Sequence, residues 1–229
     1  GVYFIGDILV AATLSLFLIP FITQLLGVEK FGEFVYLKSL IEIGTFTFIF
    51  GTTTAYSKFF IDLENEEKEH YHFLIILLYF VAFLLLGIFV FFLEKLNPNY
   101  YVALFCCLGS SLSSIIGLKF RLEFNPKKFV IYQTVTIILL ITLSLSSPYF
   151  FKDNLLGLLV ANGLGYLIFF ITAIFVLIKG FANDFNFKKN FIVYKKLYIF
   201  GAPIFIGYLS YFVYNKSSTY FLKNSYNFG

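Results

Sequence analysis

Charge is scarce in this sequence. Asp, Glu, Lys and Arg make up 13% of its 229 residues, about half the share usual in a soluble domain. A globule of this size with so few charges has no solvated surface to present, and a water-soluble fold is excluded. Cysteine is nearly absent. Cys106 and Cys107 are neighbours, and adjacent residues on a helix point apart. With no third cysteine, a disulfide and a thiolate metal site are set aside, which leaves two small packing residues. Arginine occurs once, as Arg121, and methionine not at all. The sequence starts at Gly1 and stops at Gly229, soon after an apolar run, so a piece of a longer chain is expected. No H-E-x-x-H, P-loop, G-x-S-x-G or Asp-rich metal motif occurs. No catalytic residue, cofactor or metal ligand is assigned, and the chain is not read as an enzyme. His70-Tyr71-His72 beside Glu64, Glu66, Glu67 and Glu69 is read as a solvated loop, since His at i and i+2 does not share a helix face.

What is present is apolar and comes in blocks. Hydrophobic residues make up 59% and the mean hydropathy is +0.86. A hydrocarbon core about 30 Å thick needs roughly 20 apolar residues of helix. Seven stretches qualify: Ile8 to Val28, Phe34 to Ser57, Phe73 to Leu93, Leu96 to Leu118, Phe129 to Phe151, Asn154 to Ile178 and Leu197 to Asn215. The first is too long for a signal-peptide core and is read as a retained helix. Phe is abundant at 34 residues and suits strands, but membrane strands alternate apolar with polar residues, and these runs do not. The fold class is an all-α integral membrane protein, a polytopic helix bundle.

Orientation follows the basic residues. The even connections hold Lys58, Lys68, Lys119, Arg121, Lys127, Lys128, Lys179, Lys188, Lys189, Lys195 and Lys196, whereas the odd ones hold Lys30, Lys95 and Lys152. The even side and the N-terminus are therefore expected in the cytoplasm. The net charge of +4 reflects this bias and gives no reason to expect nucleic acid as a partner. Gly27 to Glu33 is expected as the first loop. Asn97-Pro98-Asn99 and Asn125-Pro126 are turn signals, and Ser147-Pro148 is expected to end span five. The longest connection, about Lys179 to Tyr198, is basic and aromatic and suits the membrane surface.

Charges inside or at the ends of spans are the candidate functional residues, because a charge at the bilayer centre costs at least about 2.5–3.5 kcal/mol. Lys38 and Glu42, spaced i and i+4, lie about 6 and 12 Å below Phe34 at 1.5 Å per residue. They form either a neutralising pair or part of a polar cavity wall. Lys58, Arg121 and Lys216 stand near span ends with Asp7. Each is an interfacial anchor or part of a cavity for an anionic substrate such as a pyrophosphate. Pro20 and Pro203 are candidate helix bends. Gly157, Ala161, Gly163 and Gly165 allow close helix contact, and Asn162 bonds across an interface or lines a cavity.

Three segments then form a pattern. Leu26-Gly27-Val28-Glu29-Lys30-Phe31-Gly32-Glu33-Phe34 resembles the loop after the first helix of polysaccharide flippases, the O-antigen, capsule and teichoic-acid repeat-unit exporters of the multidrug/oligosaccharidyl-lipid/polysaccharide exporter superfamily. Phe50-Gly51, Ala55 and Lys58-Phe59 resemble the end of that family's second helix. Phe200-Gly201-Ala202-Pro203, Leu209-Ser210 and Ser217-Ser218-Thr219-Tyr220-Phe221-Leu222 resemble its seventh. An Asp-Arg pair of the family falls on Ser218 and Thr219, so any role of those charges does not carry over. The resemblance covers the whole chain but about half of a typical member.

The resemblance implies a six-helix lobe over residues 1–180, a connector over 181–198 and the truncated start of a second lobe over 199–229. It also implies a bacterial inner-membrane transporter working by alternating access. Its substrate would be an oligosaccharide on an undecaprenyl pyrophosphate carrier, and membrane lipids, a polysaccharide polymerase and assembly proteins would be its partners. With half the cavity wall missing, the piece is expected not to transport by itself. A multidrug exporter of the same superfamily is the alternative. A membrane-embedded polymerase or acyltransferase is a further one, although the odd loops are short for it.

Overall fold

The computed structural model of the chain describes residues 16, 18–94, 98–182, 195–211 and 214. The regular elements among them are all helices: α1 (Ile19–Ile49), α2 (Thr52–Phe59), α3 (Asn65–Glu94), α4 (Pro98–Leu122), α5 (Pro126–Phe150), α6 (Asn154–Gly165) and α7 (Leu167–Ala182), then α8 over residues 195–211. The protein is an all-α membrane bundle. A 22-residue stretch of α3 and the 25-residue helices α4 and α5 are each long and apolar enough to cross the membrane. Two bent pairs, α1 with α2 and α6 with α7, bring the number among the described residues to five if each pair is one span. The first and seventh expected spans lie partly outside the described residues, as does most of the connector, at 183–194.

Within the bundle α4 is the central helix. Of its apolar window 61% is buried, against 39% for α3 and 22% for α5. Its composition explains the position. Ala103, Cys106, Cys107, Gly109, Ser111 and Gly117 are small and buried, and small residues let neighbouring backbones approach. The cysteines do point apart: Cys106 Sγ faces Leu159 O of α6 at 3.4 Å and Cys107 Sγ faces Ile41 O of α1 at 3.5 Å. Both thiols are free.

Local signals start the helices. Asn125 Oδ1 accepts the Lys128 N–H at 3.2 Å, with Pro126 opening α5. Asp153 Oδ1 accepts the Leu155 N–H at 3.2 Å. Glu67 Oε2 accepts the Glu64 N–H at 3.1 Å ahead of α3, satisfying a donor near the helix start.

Beyond the π-helical residues 16 and 18 just before Pro20, the described backbone departs from uniform spans at three further places. The expected loop 27–33 is mostly helix, broken at Gly27 alone (φ 71°, ψ 172°), a conformation essentially restricted to glycine. Span two is broken at Phe50 and Gly51, both left-handed (φ 45° and 69°). Span six is broken at Tyr166, between α6 and α7. Tyr166 is seated over Gly109 of α4, where an added Cβ would lie 2.8 Å from the tyrosine Cβ. The small residues of α6 do serve contact: a Cβ on Gly163 would meet Phe105 Cδ1 at 2.7 Å, and one on Gly165 would meet Leu140 Cβ at 3.3 Å. Asn162 is buried. Pro20 is the second residue of α1 and follows residues 16 and 18, which are π-helical. Pro203 has helical residues on both sides. Helix α5 runs through Pro148 and ends at Phe150; the Ser144 carbonyl that Pro148 leaves without an N–H accepts the Ser147 hydroxyl at 2.9 Å.

The connections sort to two ends. At one, Lys30 Nζ pairs with Asp153 Oδ1 at 3.3 Å and Asn154 Nδ2 donates to Leu25 O at 3.4 Å. At the other, Lys179 Nζ pairs with Glu69 Oε2 at 3.1 Å and most of the basic residues gather. Lys30→Cys and Lys128→Cys are therefore expected to react with an impermeant maleimide from opposite faces of sealed vesicles. Labelling of both from one face would contradict the two-ended arrangement. Gly51→Val adds a side chain in a left-handed conformation, at about 1–2 kcal/mol, and drives it into Gly201 O. Its thermal midpoint in detergent should fall by about 4 °C or more, while Gly32→Ala, which meets nothing within 4 Å, should leave it unmoved.

Candidate functional site

The charged residues singled out by sequence do not converge. Lys38 Nζ lies 6.0 Å from the Phe34 ring centroid, on its own helix, and Glu42 is one turn further on, exposed in the bundle. Lys58 ends α2 and extends over Phe200 of α8, its Nζ 4.2 Å from the ring centroid. Arg121 ends α4 with its Cζ 4.6 Å from the Phe129 centroid. It lines a cavity of about 390 Å³ with Thr53, Thr54, Ser57, Ser113, Ser114 and Gln133. Lys216 and Asp7 lie outside the described residues. Of these candidates only Arg121 lines a cavity described here.

A larger cavity, of about 840 Å³, opens at the basic end between α3, α4, α5 and α7. Glu69, His70 and His72 come from α3, Lys119 and Glu123 from the end of α4, Lys128 and Tyr132 from α5, and Thr172 and Lys179 from α7. Tyr132 Oη and Thr172 Oγ1 are 2.8 Å apart, tying α5 to α7 across its wall. Both acids are held by lysines: Glu69 by Lys179 at 3.1 Å and Glu123 by Lys119 at 3.7 Å. The paired charges cancel, and Lys128 leaves the group cationic.

His72 overturns the solvated-loop reading. Helix α3 starts at Asn65 and carries the acidic run as its first turns. Tyr71 and His72 are both buried, and Glu69, one turn before His72 on the same face, is exposed at the cavity's edge. His72 is 1% exposed and lines the cavity. Neither ring nitrogen has a hydrogen-bond partner. Its nearest aromatic neighbour is Tyr56 of α2, 5.6 Å between centroids. The sequence signal was available in the i, i+1 placement of Tyr71 and His72 at the edge of an apolar run, but the flanking glutamates masked it.

The arrangement is a mixed-charge cavity with an apolar rim, suited to binding. Among the described residues no three His, Cys, Asp or Glu side chains are grouped to hold a metal. A buried polar group without a partner costs about 1–3 kcal/mol, and an apolar side chain of similar size removes that cost. His72→Leu should therefore raise the thermal midpoint in lipid-free detergent by a few degrees. A lowered midpoint would mean that the imidazole is bonded in the free protein. Compared with known proteins, the chain matches no family model, no curated protein and no solved structure.

Proposed function

We propose that this chain is part of a transporter that flips lipid-linked oligosaccharide repeat units across the bacterial cytoplasmic membrane for surface polysaccharide synthesis. One observation carries the reading. Two of the segments that resemble polysaccharide flippases, about 150 residues apart in sequence, lie against each other. Gly51 meets Gly201 backbone to backbone, and a Cβ on Gly201 would lie 2.9 Å from Phe50 O. Around that contact Phe50 stacks on Tyr198 and Phe205 at 4.9 and 4.5 Å, Phe59 meets Phe200 edge-on at 5.5 Å, and Lys58 caps Phe200. Residues with no obvious partner in sequence are a coherent set in space, which supports treating the resemblance as one pattern.

In this reading residues 1–180 form one lobe, 181–198 connect, and 199–229 begin a second. The basic end and the N-terminus face the cytoplasm. Rocking of the lobes exposes a central cavity to each side in turn, driven by the membrane potential or an ion gradient. The polar head of the substrate enters that cavity while its undecaprenyl tail stays in lipid. Lys38 and Glu42, one turn apart on α1, would offer hydrogen bonds and charge to the sugar–pyrophosphate head.

Deletion of the full gene in its host tests the proposal, with staining for surface polymer and assay of lipid-linked repeat units on the inner face. The expected result is lost polymer with repeat units trapped inside, restored by the gene and restored less well by Lys38→Ala at equal protein level. Normal polymer with altered resistance to cationic drugs would instead favour a multidrug exporter. Normal lipid-linked pools with altered polymer length or acylation would favour a membrane enzyme.

A further inference from the structure

The cavity around His72 is not one that the transport reading uses, and its chemistry is specific. We infer that it binds an organic phosphate bearing free hydroxyls, such as the glycerol-phosphate headgroup of an anionic lipid.

Three observations lead there. His72 is 1% exposed and lines the cavity with both ring nitrogens unpartnered. A neutral imidazole offers one N–H donor and one bare acceptor nitrogen, so a single occupant satisfies it only by bringing an acceptor and a donor together. A phosphate oxygen and a neighbouring hydroxyl do so. The charge balance points the same way: Lys119 and Lys179 are matched by Glu123 and Glu69, and Lys128 adds a positive charge to the lining, which favours an anion over a cation. Finally, Ile131 and Phe175, 57% and 67% exposed, line the same cavity from helices that carry apolar spans. A head bound near His72 would therefore have acyl chains running along α5 and α7 into the bilayer. The volume of about 840 Å³ accommodates a lipid headgroup and the first carbons of its chains.

The test uses the 229-residue chain purified in a neutral detergent, with native mass spectrometry to read binding of phosphatidylglycerol, phosphatidylcholine and glycerol 3-phosphate. The expected result is a preference of about tenfold for phosphatidylglycerol over phosphatidylcholine, lost in both His72→Leu and Lys128→Glu. If glycerol 3-phosphate displaces the lipid at equal concentration and shows the same dependence on both residues, the phosphate site stands and its ligand is a soluble one. If it does not compete, the lipid is the source. Equal binding of the two lipids, or an undiminished preference in Lys128→Glu, overturns the inference. Lys128 is exposed at the protein surface, so this variant decides the matter even if the buried substitution fails to fold.

Discussion

Hydrocarbon offers a backbone N–H or C=O nothing to bond with, so each must be satisfied within the protein. That constraint orders the structure at every scale. It makes the described elements helices, and it governs the side chains that helices carry through the membrane. Thr45, Ser111 and Thr136 are buried and turn back on Ile41 O, Cys107 O and Tyr132 O at 2.8, 2.7 and 2.9 Å. A helix break at depth needs the same care. At Phe50–Gly51 the hydroxyl of Thr52 takes Ile49 O at 2.5 Å, and the phenol of Tyr71, from α3, donates to Thr52 O at 3.0 Å. The bend thus has the Ile49 carbonyl before it and the first carbonyl of α2 after it each bonded to a protein hydroxyl. His72, with two polar atoms left without an answer, and the Tyr56 phenol beside it are among the exceptions.

The same constraint explains how much could be read from the chain. Spans three, four and five were legible to within a few residues, because a long apolar block has no other use. The glycines of α6 and the two cysteines were legible too, since small residues in lipid serve close packing. The bends were not. Each bent pair passes as one span by length and composition, and what meets each break is distant in sequence: Gly201 at Gly51, the notch at Gly109 at Tyr166. In α3 the glutamates around His70 concealed a helix that had already begun, so a buried imidazole looked like part of a loop. The charges Lys38, Lys58 and Arg121 were visible individually, but their spacing along the chain says nothing of which neighbour each covers. Phe34 stands one turn before Lys38, but Phe200 and Phe129 became the partners of Lys58 and Arg121 only in three dimensions.

Between the two regions of interest stands α2, eight residues long. On one side its Lys58 and Phe59 cover Phe200 of α8. On the other its Tyr56 stacks on Tyr71 at 4.3 Å and approaches His72. The phenol of Tyr56 is buried and unpartnered like the imidazole beside it. One short helix therefore touches both the cavity wall and the glycine seam.

The Gly51–Gly201 contact has a mechanical meaning of its own. Helices that meet through interlocking side chains can turn only by unmeshing them, as Gly163 and Phe105 illustrate on α6 and α4. Where two glycine backbones touch, there are no teeth to disengage. Phe50 lies nearly parallel to Tyr198 and Phe205, at 25° and 28°, while Phe59 meets Phe200 edge-on at 77°. At Gly51 and Gly201 the first turns of α8 thus meet the break between α1 and α2 across bare backbone, where no side chain has to be withdrawn for one segment to turn on the other.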